Sequence, residues 1–296
     1  MSTAGAIMRT LRPHQWVKNM FVVAPLVFAQ HLFELDYVLR TLAATAAFCA
    51  LSGAVYAFND VRDVEQDRAH PRKKFRPIAA GELSERGALI LAGLLIVAAL
   101  GGSLALSWKL AAVGAGYVVV NLSYSLALKQ VAWLDVGLIA SGFLLRVTAG
   151  AFAIDVPVSG WLLGCTGLLA TLLGLGKRAH ELHLAELSER TATETRAALA
   201  GYNANTVRVV MLLLALATCV VYALYTQDTR TIAEFGTRQL VWTLPFCVLG
   251  IGRFVQLAII SPTKRSPTEA MLRDWPFLLN IAVWATVVLL IIYRTS

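Results

Sequence analysis

The chain of 296 residues contains a succession of apolar segments, each long enough to cross a lipid bilayer as a helix. Such a helix needs roughly 20 mostly apolar residues, and nine segments meet this requirement. They lie at about 17–35, 39–58, 86–106, 110–128, 131–152, 159–176, 206–226, 239–260 and 276–293. Their apolar residues run continuously, without the alternation of a membrane β-barrel. The sequence therefore predicts an all-α polytopic membrane protein that forms a single domain over 1–296.

The composition and the charge agree with this class of protein. The chain is 57% hydrophobic and 15% charged, whereas soluble domains are about 45–50% apolar and about 25% charged. With a cytoplasmic N-terminus, 19 of the 26 lysines and arginines fall on the cytoplasmic side, as the positive-inside rule requires. The net charge of +8 is thus interpreted as an orientation signal and a means of binding anions, with no nucleic-acid partner. We expect a cell inner-membrane protein with its C-terminus outside.

A polar motif follows the second apolar segment, where Asn59, Asp63 and Asp67 stand four residues apart. If the helix continues past Phe58, this spacing puts all three side chains on one face. One amide and two carboxylates near the membrane surface suit Mg²⁺, which proteins hold with one or two carboxylates plus substrate phosphates. The alternative for this motif is a solvated helix end with short-range ion pairs.

Basic residues are concentrated in two predicted cytoplasmic connections, 59–85 and 177–205. Arginine and lysine side chains bind phosphate groups well, so both connections are candidate phosphate-binding segments. The candidates are Arg72, Lys73, Lys74, Arg76, Lys177 and Arg178. For the second connection, an amphipathic helix with solvated charges is the alternative interpretation.

The fifth apolar segment carries two ionisable residues, Asp135 and Arg146. They are eleven residues apart, about three helical turns, which puts them on nearly the same face. An ionisable side chain inside a membrane is costly, so Arg146 is a candidate functional residue, with a structural ion pair to another helix as the alternative. Lys129, at the end of the fourth segment, either binds a ligand or snorkels to the membrane surface.

Several strings in this order resemble the UbiA superfamily of intramembrane prenyltransferases. They are Arg-Pro-His-Gln-Trp-Val-Lys-Asn at 12–19, the Asn-x-x-x-Asp-x-x-x-Asp motif at 59–67, and the tyrosine-lysine motif at 124–129. The resemblance implies nine helices around a central cavity that is capped by two cytoplasmic loops. It also implies that the acidic motif binds Mg²⁺ and a pyrophosphate.

The sequence departs from most of this superfamily after the sixth helix. Where most members carry a second Asp-x-x-x-Asp motif, residues 176–182 read Gly-Lys-Arg-Ala-His-Glu-Leu. With basic residues in place of the acidic ones, this segment resembles one branch of the superfamily. Members of that branch transfer 5-phosphoribose from 5-phosphoribosyl 1-pyrophosphate to a polyprenyl phosphate such as decaprenyl phosphate. The strings at 75–81 and 272–274 are also similar to that branch.

The branch resemblance implies a Mg²⁺-dependent phosphoribosyltransferase and gives each candidate residue a role. Asn59, Asp63 and Asp67 are the expected metal-binding and catalytic residues. The expected substrate-binding residues are Lys18, Arg72, Lys73, Lys74, Arg76, Tyr124, Lys129, Arg146, Lys177, Arg178 and Glu181. Among these, Lys18, Lys129 and Arg146 are expected to hold the lipid phosphate. The resemblance also hints at a homotrimer.

Two other functions fit parts of the sequence. A polyprenyltransferase would move a prenyl group from its pyrophosphate to an aromatic acceptor, but the second acidic motif that such an enzyme uses is missing. A transporter for a lipid-linked anion would use the same basic segments and Arg146, but transporters usually place their site near the middle of the membrane.

Overall fold

The computed structural model describes residues 3–187, 197–260 and 267–294, and within these it leaves undescribed the side chains of Lys129, Glu186, Leu187, Ala197, Ala198 and Thr268. The described residues form helices and connecting turns, without strands. The α-helices are α1 (Thr3–Leu11), α2 (Ala24–Phe28), α3 (Leu35–Arg62), α4 (Val64–Ala69), α5 (Glu85–Leu106), α6 (Trp108–Leu126), α7 (Leu134–Ala153), α8 (Gly160–Leu187), α9 (Ala204–Gln227), α10 (Thr229–Phe235), α11 (Leu244–Val255), α12 (Pro267–Met271) and α13 (Trp275–Arg294). The all-α prediction is confirmed.

Seven helical segments of the described chain are long and apolar enough to cross a membrane. They are Leu35–Arg62, Glu85–Leu106, Leu134–Ala153, Gly160–Ala185, Ala204–Gln227, Gln239–Ile260 and Trp275–Arg294. Each overlaps a segment predicted from the sequence. The predicted segment at 110–128 is also helical, as the 19-residue helix α6. The protein is a multi-pass membrane protein, and the total of nine spans stays a prediction.

The predicted first span at 17–35 differs from the structure. Pro13–Val22 forms a 3₁₀ helix, and the five-residue helix α2 follows it. Pro25, at the start of α2, has no backbone N–H to continue a helix from the preceding residues. Gln30, just after α2, has a φ of 63°, a left-handed conformation that ends a right-handed helix. The segment at 17–35 is therefore apolar but does not form one continuous helix.

The helices group into two compact units. The first comprises the described residues of Met1–Leu126 together with Leu145–Val158, and the second comprises Ala127–Leu144 with the described residues of Ser159–Ser296. In the first unit, α3 packs on α5 and α6 around buried apolar side chains that include Phe48 and Leu51. In the second unit, α8 packs on α9. The single domain over 1–296 stays a prediction.

Large apolar side chains remain exposed along several of these helices. On α5, for example, Leu94 and Val97 are 65% and 72% exposed, whereas Ser103 on the same helix is buried. Exposed apolar groups are costly in water but favourable against lipid chains. This distribution of side chains agrees with a membrane environment around the helices.

Candidate functional site

The acidic motif lies where α3 gives way to α4, in the first unit. The helix continues past Phe58 as predicted and ends at Arg62, and Asp63 joins it to α4. The hydrogen-bond spacing persists through this junction, because the Asp63 N–H donates to the Asn59 carbonyl (2.9 Å) and the Asp67 N–H to the Asp63 carbonyl (2.8 Å). Asn59, Asp63 and Asp67 therefore follow one another at intervals of one helical turn, as the sequence predicts.

The side chains of this motif have the character of cation ligands. Asp67 is only 2% exposed, and Asn59 and Asp63 are half-buried. The buried Oδ1 of Asn59 accepts no hydrogen bond from the described residues, and an unsatisfied buried oxygen is unfavourable until a donor or a cation reaches it. An amide oxygen and two carboxylates fit the oxygen preference of Mg²⁺.

Within the described residues, no group of three or more His, Cys, Asp or Glu side chains is arranged to hold a metal ion. The candidate site therefore depends on two carboxylates and one amide, with further ligands to come from substrate phosphates or water. This is the usual manner in which proteins bind Mg²⁺.

Basic side chains contact the carboxylate of Asp67. Arg76 NH1 lies 2.6 Å from Asp67 Oδ2, and the Lys73 ammonium lies 3.9 Å from Asp67 Oδ1. Arg76 NH1 also lies 3.0 Å from Oδ1 of Asp60, a buried carboxylate that accepts a second hydrogen bond from Arg12. Asp60 and Arg12 are absent from the candidates drawn from the sequence, although Asp60 directly follows Asn59 and Arg12 opens the string at 12–19.

The rest of the basic run is exposed on a turn that His70 organises. The Nδ1 atom of His70 accepts hydrogen bonds from the backbone N–H groups of Arg72 (3.1 Å) and Lys73 (3.2 Å). Desolvation, followed by the nearby Lys73 ammonium, lowers the pKa of His70, which keeps Nδ1 available as an acceptor. Arg72, Lys73 and Lys74 are exposed on this turn, and the Lys73 ammonium lies beside Asp67 of the acidic motif.

Arg62 connects the acidic motif to the tyrosine motif within the same unit. Its guanidinium donates to the carbonyl oxygens of Ser125 (2.5 Å) and Leu126 (2.6 Å) at the end of α6. A cation at this end of a helix pairs with carbonyls that have no partner inside the helix. Tyr124, half-buried on the last turn of α6, is thus held at a fixed position relative to α3.

Arg146 is a buried cation in the core of the first unit. It is 5% exposed, and it donates to Asn19 Oδ1 from Nε (2.7 Å) and to the Tyr117 hydroxyl from NH2 (2.9 Å). Asn19 in turn donates to Ser52 Oγ (3.3 Å). Neighbouring Lys18 is half-buried. Arg146 therefore belongs to a polar network that includes Asn19, the residue next to Lys18 in the chain.

Arg178 lies in the second unit, in a network whose other members include Asp135 and Tyr202 from distant parts of the chain. Its Nε lies 3.2 Å from Asp135 Oδ2, and both side chains are completely buried. Arg178 NH1 pairs with Glu181, and the Tyr202 hydroxyl donates to Asp135. Burial, and then the hydrogen bond to Asp135, raises the pKa of Tyr202. Asp135 and Arg146 consequently have separate partners, although they lie on nearly one face of α7.

Lys177 differs from its neighbour because it is exposed. The preceding residue, Gly176, packs so closely on α11 that a Cβ there would lie 2.4 Å from Cζ of Phe254. This contact and the Arg178 network fix the backbone on both sides of Lys177. The remaining predicted residue, Lys129, has a side chain outside the described part of the chain.

Comparison with known proteins gives a consistent set of relatives. A family model described as the UbiA prenyltransferase family matches residues 20–181. Proteins named decaprenyl-phosphate phosphoribosyltransferase are similar over nearly the whole chain. The one from Mycolicibacterium smegmatis is 38% identical and aligns 95% of this chain with 90% of its own length. The one from Mycobacterium tuberculosis is 35% identical and aligns 96% with 93%.

The fold also resembles a solved structure. A UbiA homolog from Archaeoglobus fulgidus, bound to DMAPP and Mg²⁺, superposes with a TM-score of 0.71 at 16% identity, covering 97% of this chain and 98% of that one. At this level of identity the likeness concerns the fold.

Proposed function

Because this chain belongs to the UbiA prenyltransferase family, we propose that it transfers 5-phosphoribose from 5-phosphoribosyl 1-pyrophosphate to a polyprenyl phosphate and releases pyrophosphate. Two relatives that are 38% and 35% identical over almost the full length are named decaprenyl-phosphate phosphoribosyltransferase. The structural observation that carries the proposal is the contact of Arg76 and Lys73 with the buried carboxylate of Asp67, in a basic run where Arg72 and Lys74 are also exposed.

This surplus of cations matches the charge of the proposed substrates. The donor carries a pyrophosphate at C1 and a phosphate at C5, and the acceptor is itself a phosphate. Each of these anionic groups needs charge-assisted hydrogen bonds when it leaves water. Arg72, Lys73, Lys74 and Arg76 are suited to the donor, together with Lys177. A donor with one pyrophosphate and a neutral aromatic acceptor would need fewer cations.

Asn59, Asp63 and Asp67 would hold one Mg²⁺ ion. Bound there, the ion would supply positive charge to the oxygens of the pyrophosphate leaving group. Arg76 and Lys73, which already contact Asp67, would donate hydrogen bonds to the same pyrophosphate. Stabilisation of developing charge by fixed donors is usually the largest single contribution to catalysis of this kind.

The transfer itself is a displacement at C1 of ribose. The bond between C1 and the pyrophosphate oxygen breaks, and its electron pair leaves with pyrophosphate. An oxygen of the lipid phosphate forms the new bond to C1 from the opposite face, through a transition state with oxocarbenium character. The acceptor is already an anion, so no strong general base is required, and the residues act by positioning and by charge.

The lipid phosphate would be held by Lys18 and Arg146, with Lys129 as a third candidate. Arg146 is buried and oriented by Asn19 and Tyr117, so its guanidinium is held in place before a ligand arrives. Tyr124, fixed by the Arg62 contact to the end of α6, would line the same region.

In the second unit the exposed and buried cations would act differently. Lys177 would contact a phosphate of the donor. Arg178 would fix the local backbone through Asp135, and Glu181 would orient Arg178 or bind ribose hydroxyls. We further propose a cytoplasmic N-terminus in the inner membrane, supported by the distribution of lysine and arginine, and a homotrimer.

The product identifies the reaction. Purified protein in detergent, given Mg²⁺, 5-phosphoribosyl 1-pyrophosphate and decaprenyl phosphate, should yield a lipid heavier by one phosphoribosyl group in a mass spectrum. A parallel reaction with a polyprenyl pyrophosphate and 4-hydroxybenzoate tests the prenyltransferase alternative. A prenylated aromatic product without phosphoribosylated lipid would overturn the proposal, and the absence of either product would favour the transporter.

A further inference from the structure

One nitrogen of Arg76 joins two buried carboxylates. NH1 lies 2.6 Å from Asp67 Oδ2 and 3.0 Å from Asp60 Oδ1, and the two acidic side chains are 2% and 3% exposed. The two carboxylates do not have equivalent positions in the motif. Asp67 falls on the one-turn spacing of Asn59 and Asp63, whereas Asp60 is outside this spacing and contacts Arg12 instead.

Charge balance explains why Arg76 occupies this position. Two carboxylates that accept from one nitrogen repel each other, and burial removes the water that would screen them. Arg76 neutralises part of this charge, with Arg12 on the Asp60 side and Lys73 on the Asp67 side. A divalent cation at Asp67 would bring two further positive charges against these side chains, so it would compete with Arg76 for this carboxylate.

We infer that Asp60 is a positioning residue that retains Arg76 beside the site when Asp67 binds a divalent cation. With Asp67 occupied by the metal, the contact between Arg76 and Asp67 is lost and the contact with Asp60 remains. The N–H groups of Arg76 are then available to the pyrophosphate that binds the same metal. This inference rests on the metal site of the proposed function and assigns Asp60 and Arg76 distinct parts in it.

Two substitutions then act in opposite directions on metal affinity. Arg76→Gln removes the competing cation from Asp67, so it should tighten binding of a divalent cation in the absence of substrate. Asp60→Asn removes the second anion that holds Arg76, which leaves Arg76 paired with Asp67 alone and should weaken binding. A purely structural role for the cluster would lower metal affinity in both variants.

The experiment titrates Mn²⁺ alone into the purified full-length protein and follows free Mn²⁺ by electron paramagnetic resonance. Asp67→Asn identifies the binding that belongs to this site. Because a neighbouring charge shifts ionic equilibria by one or more powers of ten, we expect Kd to fall about tenfold in Arg76→Gln and to rise about tenfold in Asp60→Asn. Arg68→Gln is the matched control, since Arg68 is adjacent to Asp67 in sequence but pairs with Glu65 and Glu85, and its Kd should equal that of the wild type.

Kinetics supply the second readout. Both substitutions should raise KM for 5-phosphoribosyl 1-pyrophosphate. Arg76→Gln removes the side chain that donates to pyrophosphate, and Asp60→Asn removes the carboxylate that holds Arg76 in place to do so. Equal Mn²⁺ affinity in wild type, Arg76→Gln and Asp60→Asn would overturn the inference, as would weaker binding in both variants or no binding that depends on Asp67. If Arg76→Gln tightens and Asp60→Asn weakens Mn²⁺ binding but the wild type transfers no phosphoribose, only the proposed function is refuted.

Discussion

Arg178 and Asp135 form an ion pair in which both side chains are completely buried, with Nε and Oδ2 separated by 3.2 Å. Tyr202 donates to the same carboxylate, and Glu181 accepts from Arg178. The network joins α7, α8 and the turn before α9 within the second unit. Its position directly after Lys177 indicates that a buried charge network supports the exposed cation.

Loss of one member of this pair should destabilise the second unit. Asp135→Asn leaves the guanidinium of Arg178 without its buried counter-charge, which costs about 3–5 kcal/mol. Thermal unfolding in detergent measures the change. The control is Asp155→Asn. The side chain of Asp155 is 84% exposed and pairs with Lys109, and an ion pair this exposed contributes little to stability. An unchanged melting temperature in Asp135→Asn would contradict the assigned network.

Lys177 and Arg178 should respond differently to the same substitution. Lys177→Gln removes an exposed cation that we propose binds a phosphate of the donor, so KM for 5-phosphoribosyl 1-pyrophosphate should rise about tenfold, a loss of roughly 1.4 kcal/mol, at an unchanged melting temperature. Arg178→Gln should lower the melting temperature, because Asp135 loses its buried ion pair with Arg178. Steady-state kinetics and thermal unfolding of both variants test this division. A lower melting temperature in Lys177→Gln with unchanged KM would assign Lys177 a structural role.

Gly150 is required by a close approach of two backbone segments in the first unit. A Cβ at this position would lie 2.0 Å from the carbonyl oxygen of Val22, and backbone cannot withdraw as a flexible side chain can. Gly150→Ala should therefore destabilise the protein by at least the 1–3 kcal/mol that is typical, as a rough guide, of overpacking. Gly101→Ala is the matched control, since a Cβ there has no atom within 4 Å. Equal melting temperatures in the two variants would refute this account.

Asp274 makes stability depend on pH in the acidic range. Arg253 donates to it from Nε (3.1 Å) and from NH2 (2.6 Å), and Asp274 accepts from the N–H of Phe277 at the start of α13. The hydrogen bonds from Arg253 hold the pKa of Asp274 below its usual value. A depressed pKa stabilises the fold above the unfolded-state value of about 3.9 and the effect is lost as the pH falls through the folded-state value.

The corresponding measurement compares the melting temperatures of wild type and Asp274→Asn from pH 7 to pH 3. The wild type should melt at a higher temperature at pH 7, and the difference should shrink below about pH 4 as Asp274 is protonated. A difference that stays constant over this range would show that the carboxylate charge is not involved.

Sequence patterns predicted those features that depend on neighbouring residues. The apolar segments gave most of the helices, and the spacing of Asn59, Asp63 and Asp67 survives the change from α3 to α4. The missed contacts join residues that are far apart in the chain. Arg12 and Asp60 are separated by 48 positions, and Asp135 and Tyr202 by 67. A pattern of neighbouring residues cannot predict contacts over such separations.

The pairing of the charged residues on α7 illustrates the same limit. Helical periodicity correctly relates Asp135 and Arg146 to one face, yet it cannot tell which other helices pack there. Arg146 donates to Asn19 and Tyr117, whereas Asp135 forms an ion pair with Arg178 and accepts a hydrogen bond from Tyr202. Partner choice is a property of tertiary packing, which a single sequence does not encode in any short pattern.

Pyrophosphate release by purified protein tests the central claim most directly. It is measured with Mg²⁺ and 5-phosphoribosyl 1-pyrophosphate, with and without decaprenyl phosphate, in wild type and in folded Asp63→Asn and Asp67→Asn variants. We expect release that requires the lipid phosphate and that both substitutions abolish. Release that is independent of the lipid, or turnover that survives in either variant, would contradict the account of a phosphoribosyl transfer at this acidic motif.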